Sequence, residues 1–248
     1  MTQDPVADDY ATFWAMIFQE RVTCILMIED KHDRERKDQE QGPTRAKYYP
    51  ETEGEKKQIG RHKVENQLTG KFMFEHWVTA LSVSARHLVV TKDGDPAPLA
   101  VTHLLIDGWP ILTRESKPKL TLSLCELLIY LEDVKTILIH DDDGANRAGV
   151  VVLLKMLMDV IDIDPVKIWD GAMMTGKLRT LRSQRARCIG SCGQFQFCCS
   201  SLKYYHLHRY EDNERLQSWW PVGFHAAFGL GPFSGFDEEF SARCPQRP

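Results

Sequence analysis

An α/β fold, a sheet with helices packed on it, follows from three stretches of the sequence. Lys135 to His140 is an apolar, β-branched run that enters a short loop carrying Gly144, Arg147 and Gly149, and Val150 to Met158 is then apolar on nearly every side. That pattern is a buried strand, a tight loop and a buried helix. Phe13, Trp14, Ile17 and Phe18 recur at helical spacing ahead of the apolar run Val22 to Ile28, so a helix packs beside a second buried strand. Arg86 to Val90 and Leu99 to Ile106 flank the turn signal Asp93-Gly94-Asp95-Pro96, the signature of a hairpin.

The remaining segments follow in order. Glu29 to Gln41 is a dense run of both charges and reads as a solvated face. Trp77, Thr79, Leu81 and Val83 alternate with polar residues as a half-buried strand does. Leu120 to Leu131 is an apolar helix leading into the central strand, and Asp162-Ile163-Asp164-Pro165 breaks the helix that leaves the loop. The segment with Leu178 and Leu181 carries Lys177, Arg179, Arg182, Arg185 and Arg187, a cluster that invites an RNA reading but lacks the interleaved aromatics of a stacking platform. From Arg209 onward, Trp219-Trp220-Pro221 and scattered Gly, Phe and Pro show no periodicity.

With 248 residues, 43% hydrophobic and 27% charged, the chain is an ordinary globular one and reads as one domain. A net charge of −4 gives no reason to expect nucleic acid or an acidic membrane as partner. The longest apolar run is interrupted by Lys155 and is too short to span a bilayer, and Met1-Thr2-Gln3-Asp4-Pro5 lacks the basic and apolar start of a signal peptide. Seven Cys, an odd number without framework spacing, fit reduced thiols and a cytoplasmic protein. Cys188, Cys192, Cys198 and Cys199 with His206 and His208 contain no Cys-x2-Cys pair, so neither metal nor other cofactor is expected.

The loop after the central strand has the makings of an anion site. Unpaired N–H groups and the positive end of the helix dipole face into it, glycines let the backbone curl, and Arg147 adds a planar cationic fork. On shape, Asp141, Asp142, Asp143, Gly144, Ala145, Asn146 and Arg147 form a phosphate cradle, with His140 leading into it.

The spacing from His140 to Arg147 and Gly149 resembles the signature loop of the protein tyrosine phosphatases, His-Cys-x5-Arg-Ser/Thr-Gly. In that family the Cys is the nucleophile, the Arg grips the phosphoryl group and the hydroxyl after it assists the thiolate; here the matching residues are Asp141, Arg147 and Ala148. Other landmarks come in the family's order. Thr2-Gln3-Asp4-Pro5 and then Phe13-Trp14 follow its Thr-Gln-Gly-Pro and Phe-Trp, with Asp4 for Gly. Ala46-Lys47-Tyr48-Tyr49-Pro50 is similar to the end of Lys-Cys-x-x-Tyr-Trp-Pro, with Thr44 and Arg45 at the Lys and Cys. Gly108-Trp109-Pro110-Ile111 is similar to the mobile Trp-Pro-Asp loop, with Ile111 in place of the general acid. Leu181 to Arg185 and Gln194 to Cys198 resemble the segments flanking the loop that positions hydrolytic water; its first Gln falls on Gly190 and its second is kept as Gln194.

The resemblance implies a twisted mixed β-sheet flanked by helices over residues 1–209, lacking the N-terminal part of the family's domain with its aromatic recognition loop, and an irregular tail at 210–248. It also implies missing sheet strands and a bare strand edge. Catalysis by the family's mechanism needs a thiolate of lowered pKa and a general acid. Asp141 and Ile111 remove both, and Ala148 and Gly190 remove two supporting groups. The expected function is therefore a pseudophosphatase, an inactive interaction or regulatory protein with a protein partner and weak or absent phosphotyrosine binding.

A second reading takes Ile137 to Gly144 as a strand followed by Asp-x-Asp-Gly, as in the haloacid-dehalogenase-like phosphatases, with Asp141 as a Mg²⁺-dependent nucleophile. A third, a phosphotyrosine trap, is opposed by three carboxylates where one Arg attracts the dianion. In the first reading Asp141 sits at the floor of the N–H nest, fills the place of substrate phosphate and titrates below the ordinary carboxylate range, with Asp142 and Asp143 facing solvent.

Overall fold

The computed structural model describes residues 1–29, 47–71, 82–107, 109, 124–125, 127–129, 131 and 134–210. Most of the charge run after Glu29, the greater part of the strand expected at 77–83, Pro110, Ile111 and the tail from residue 211 lie outside the described residues. So does much of the helix expected at 120–131, of which 124–125 and 127–129 are helical. The chain divides into two compact units, Met1–Ile111 with Ser123–Gly149, and Leu112–Leu122 with Val150–Pro248.

The first unit is built on a seven-stranded mixed sheet: β1 (Thr2–Gln3), β2 (Cys24–Glu29), β3 (Lys56–Ile59), β4 (His62–Lys71), β5 (Ser82–Lys92), β6 (Asp95–Asp107) and β7 (Ile137–Asp141). The order across it is β1-β7-β2-β6-β5-β4-β3. Contacts among β1, β7, β2 and β6 are parallel, and those from β6 to β3 are antiparallel. β2 lies inside the parallel half and all six of its residues are buried, the composition a strand covered on both faces requires. β6 passes through both halves. Its burial alternates around Leu99 and Val101 and becomes continuous from His103 to Ile106, where β2 pairs with it.

The expected hairpin is β5 and β6, joined through Asp93 and Gly94, whose φ of +83° is the left-handed conformation the turn needs. Its arms run further than periodicity indicated, because Asp95 pairs with Lys92 across a bulge. Three strands went unread. β3 alternates exposed and half-buried residues that are mostly polar, β4 sets Val64 and Leu68 among polar neighbours, so the apolar signal of both is weak, and β1 is only two residues long.

Helix α1 (Tyr10–Gln19) buries Phe13, Trp14, Ile17 and Phe18 in one cluster with Val64, Leu88, Val90, Leu99 and Val101. Full burial of each such side chain stabilises by about 1.5–3 kcal/mol. The Trp14 indole N–H donates to the Tyr48 carbonyl at 2.8 Å, anchoring the Tyr48-Tyr49-Pro50 segment to the same core.

The second unit is helical. Helix α2 (Arg147–Ile163) has its first turn in the first unit and ends at the Asp-Pro breaker, where Pro165–Trp169 forms a 3-10 turn. Helix α3 (Gly171–Gln184) is capped by Asp170, whose carboxylate accepts from the Met173 N–H at 2.9 Å, and it buries Met174, Leu178 and Leu181. Helix α4 (Cys192–Tyr210) includes Tyr210, the residue at which the tail was expected to begin. Asp162 on α2 accepts hydroxyl hydrogen bonds from Tyr205 and Tyr210 at 2.6 and 2.7 Å. Between α3 and α4, Arg187 and Ile189 hold φ of 64° and 58°, and the Arg182 guanidinium fastens the turn by donating to the Cys188 and Ile189 carbonyls.

Candidate functional site

Strand β7 carries His140 and Asp141 to the C-terminal end of the parallel half-sheet, the place where open α/β sheets present their ligand loops. The loop 142–146 follows and α2 starts at Arg147. Gly144 turns the loop with φ +67°, and a Cβ there would lie 2.4 Å from the Gln3 nitrogen and 2.5 Å from the Thr2 carbonyl carbon. The backbone of β1 therefore rests directly on the loop. The Asp4 N–H donates to the Asp141 carbonyl at 2.7 Å and extends that contact.

The Asp141 side chain turns into the curl of N–H groups. Its Oδ1 accepts from the Gly144 N–H at 2.6 Å and its Oδ2 from the Ala148 N–H at 3.1 Å, and the Arg147 N–H also supports the carboxylate. Asp143 takes the donors between: its Oδ1 accepts from the Ala145 and Asn146 N–H groups at 2.8 and 2.9 Å, while the Asn146 amide meets its other oxygen. Every backbone N–H from Gly144 to Ala148 is thus held by an aspartate of the same loop. Asp143 is exposed as expected, whereas Asp142 is half-buried.

Asp141 titrates in the opposite direction to the one expected from sequence. Burial raises its pKa above the ordinary carboxylate value, Asp143 adds to the rise, and the N–H groups of Ala148, Gly144 and Arg147 oppose it without prevailing. The residue is only 1% exposed, so removing the charged form from water outweighs the hydrogen bonds it gains.

Behind the loop, the Tyr48 hydroxyl lies 2.8 Å from Nε2 of both His140 and His103, with all three side chains buried. One hydroxyl proton serves two imidazoles, so one ring accepts it and the other donates an N–H to the oxygen. Asp4 Oδ1 stands 3.7 Å from His140 Nδ1, which favours the proton on that nitrogen. His140 then accepts from Tyr48 and His103 donates to it, a tautomer assignment that follows from the network. Burial, helped by Arg86 and His140, holds His103 well below the ordinary histidine range.

The cleft where β1, β7 and β2 end is lined by Asp4, Glu29, Asp141 and Asp142 around His140, Met27 and Ile28. Four carboxylates make it a poor host for a dianion. Nor do the residues fit a metal cofactor: among the described residues no three His, Cys, Asp or Glu side chains are placed to hold an ion, and both Asp141 oxygens are committed to backbone donors.

Of the other residues singled out in the sequence, Ala148 is buried and contributes its N–H to Asp141. Trp109 is fully buried in the first unit, and its neighbours Pro110 and Ile111 lie outside the described residues. Gly190 and Gln194 belong to the second unit, Gly190 exposed and Gln194 in the first turn of α4, its N–H directed to Ser191 Oγ at 3.2 Å. Sequence reasoning passed over Asp4, Tyr48 and His103 as site residues. The signal was present in Asp4, a carboxylate in a segment where the resemblance called for Gly.

A strand, a curled loop on a helix N-terminus and an Arg at its end agree with what the comparisons with known proteins return. The family model described as protein-tyrosine phosphatase matches residues 1–204. The chain belongs to the protein-tyrosine phosphatase family. Among its relatives, Tyrosine-protein phosphatase 1 of Caenorhabditis elegans is 24% identical over 216 residues, covering 82% of this chain and 18% of the relative. Tyrosine-protein phosphatase non-receptor type 7 of Rattus norvegicus is 24% identical over 210 residues, 82% of this chain and 51% of the relative. Tyrosine-protein phosphatase 69D of Drosophila melanogaster is 24% identical over 220 residues, 84% of this chain and 13% of the relative. The chain thus spans at most about half the length of these relatives. The family resemblance and the mixed α/β sheet read from sequence are both borne out. Among the described residues, no helix is long and apolar enough to cross a membrane.

Proposed function

We propose that this member of the protein-tyrosine phosphatase family is a pseudophosphatase, a cytoplasmic interaction or regulatory protein that does not turn over phosphotyrosine. The observation that carries the reading is the occupied cradle: Asp141 and Asp143 accept the backbone donors from Gly144 to Ala148. A substrate phosphoryl group needs those donors unfilled and a nucleophile beneath them. In this chain the position of the family's thiol is an aspartate whose two oxygens are already engaged, and the residue after Arg147 is alanine. The buried carboxylate also repels a dianion, so phosphotyrosine binding is weak or absent. A protein partner then supplies the biological role.

The test is turnover of an aryl phosphate by the purified chain with and without Mg²⁺. No hydrolysis above the rate without protein is expected under either condition. Turnover at rates ordinary for enzymes, about 1 s⁻¹ or more, overturns the proposal. Were it to require Mg²⁺, Asp141 would be acting as an aspartyl nucleophile instead.

A further inference from the structure

We propose that the exposed side of α3 and the turn after it form a docking surface for an acidic peptide segment of a partner protein. Residues 171–210 contain seven Lys and Arg and no Asp or Glu, in a chain whose net charge is −4. Part of this positive charge serves the fold. Arg182 fastens the turn through the Cys188 and Ile189 carbonyls, and cations around a helix C-terminus complement its dipole. Neither role covers Lys177, Arg179 and Arg187. Arg179 and Arg187 are exposed and Lys177 is half-buried, and among the described residues none of the three has a carboxylate within ion-pair distance.

Arg187 supplies an independent observation. Its φ of 64° is a conformation that glycine adopts freely and a side chain only at a cost, yet the position holds an exposed cation. Local strain retained at an exposed charged residue points to a surface used for recognition. The chemistry of the surface selects the partner. No Phe, Tyr or Trp occurs between residues 171 and 193, so unstacked bases find no platform. The exposed large apolar residues of the described chain, such as Ile163 and Val166, all lie outside 171–191, so the patch offers a bilayer no anchor. A peptide rich in Asp and Glu needs neither feature and pairs with the fixed forks of Arg179 and Arg187. The surface requires nothing of the cradle, so this inference stands or falls apart from the pseudophosphatase reading.

The experiment titrates the full chain into a fluorescein-labelled decaglutamate peptide at low ionic strength, about 10 mM, and at about 150 mM. Saturable binding that weakens with salt is expected, together with no binding of a decaglutamine peptide. The double variant Arg179→Glu/Arg187→Glu should bind about tenfold more weakly, while Lys63→Glu, an exposed charge reversal on β4, should match the unmodified chain. Should the double variant melt early, Lys177→Gln/Arg179→Gln, which keeps helix-forming side chains, should still weaken binding about threefold. Absence of binding to decaglutamate overturns the proposal, as does equal loss in Lys63→Glu. Tighter binding of polyuridylate or of phosphatidylserine vesicles at the higher salt would also overturn it, in favour of that partner.

Discussion

Replacing Asp141 by Ser should convert the loop from a closed structure into an anion site. The substitution removes a buried carboxylate that accepts from the Gly144, Ala148 and Arg147 N–H groups, and it returns those donors to the curl. It also removes a negative charge from the floor. At a separation of about 4 Å and an effective dielectric of about 20, each unit of like charge costs an incoming anion about 4 kcal/mol, and a dianion about twice that. Even the smaller figure is a factor of about 10³ in affinity. Calorimetric titration with vanadate should therefore give a measurable dissociation constant for Asp141→Ser and no saturation for the unmodified protein at concentrations about a thousandfold higher. Lowering the pH provides a second readout. Since folding raises the Asp141 pKa, the stability this residue contributes is complete below its ordinary value and is lost as pH rises through the raised one. The unmodified protein should gain stability relative to Asp141→Ser on acidification. Equal vanadate affinity in the two proteins would show that Asp141 does not occupy the nest, and the closed-cradle argument would fail with it.

Gly144→Ala places a Cβ inside the β1 backbone and demands a left-handed conformation of an L-residue, so it should cost about 3 kcal/mol or more in chemical denaturation and accelerate amide exchange at Gln3 and Asp4. Arg187→Gly relieves the same conformation in the turn after α3, and a stabilisation of about 0.5–1 kcal/mol is expected; an unchanged or lower melting temperature would contradict the strain. His103 stays neutral when folded and takes a proton near 6.5 when unfolded, so stability should be complete above that value and fall below it by up to about 1.4 kcal/mol per pH unit. His62, lowered by burial and by Lys92 and Arg61, adds a slope of the same sign, and His103→Gln should flatten only the part due to His103.

The parallel half of the fold was legible because burial on both faces writes itself into composition: β2, β7 and the second half of β6 each carry an unbroken run of three or more apolar residues. The landmarks His140 to Gly149 and Phe13-Trp14 then gave the family. β3 and β4 were missed because an antiparallel pair with one face toward water needs only every second residue to be apolar, and Lys56-Lys57-Gln58-Ile59 scarcely meets that. At the site, sequence placed Asp141 at the bottom of the curl and erred on its titration. The hydrogen bonds were inferable from spacing, but the depth of burial that outweighs them depends on what covers the loop, and the cover comes from residues some 140 positions away. Asp143 was read as a solvated charge opposing its neighbour; it is also the acceptor for the Ala145 and Asn146 N–H groups, a local role that Asp commonly takes at the entry to a helix.

That cover has a kinetic meaning. Thr2 and Gln3 pair with His140 and Asp141, so the first residues of the chain meet a strand that enters the sheet only after nearly the whole first unit has been traversed. Contacts of such sequence separation form late, because closing so long a loop must be offset before any contact rewards it. β1 meets β7 through two paired residues, continued by the Asp4 N–H and by the Asp4 carboxylate beside His140, a shorter ladder than the eleven residues of β5 have on either side. The loop should therefore be the last part of the sheet to be sealed during folding and the first to open in the native state. A binding partner or protease that catches the protein during such an opening would find Asp141 and its hydrogen bonds exposed while the rest of the sheet stays shut.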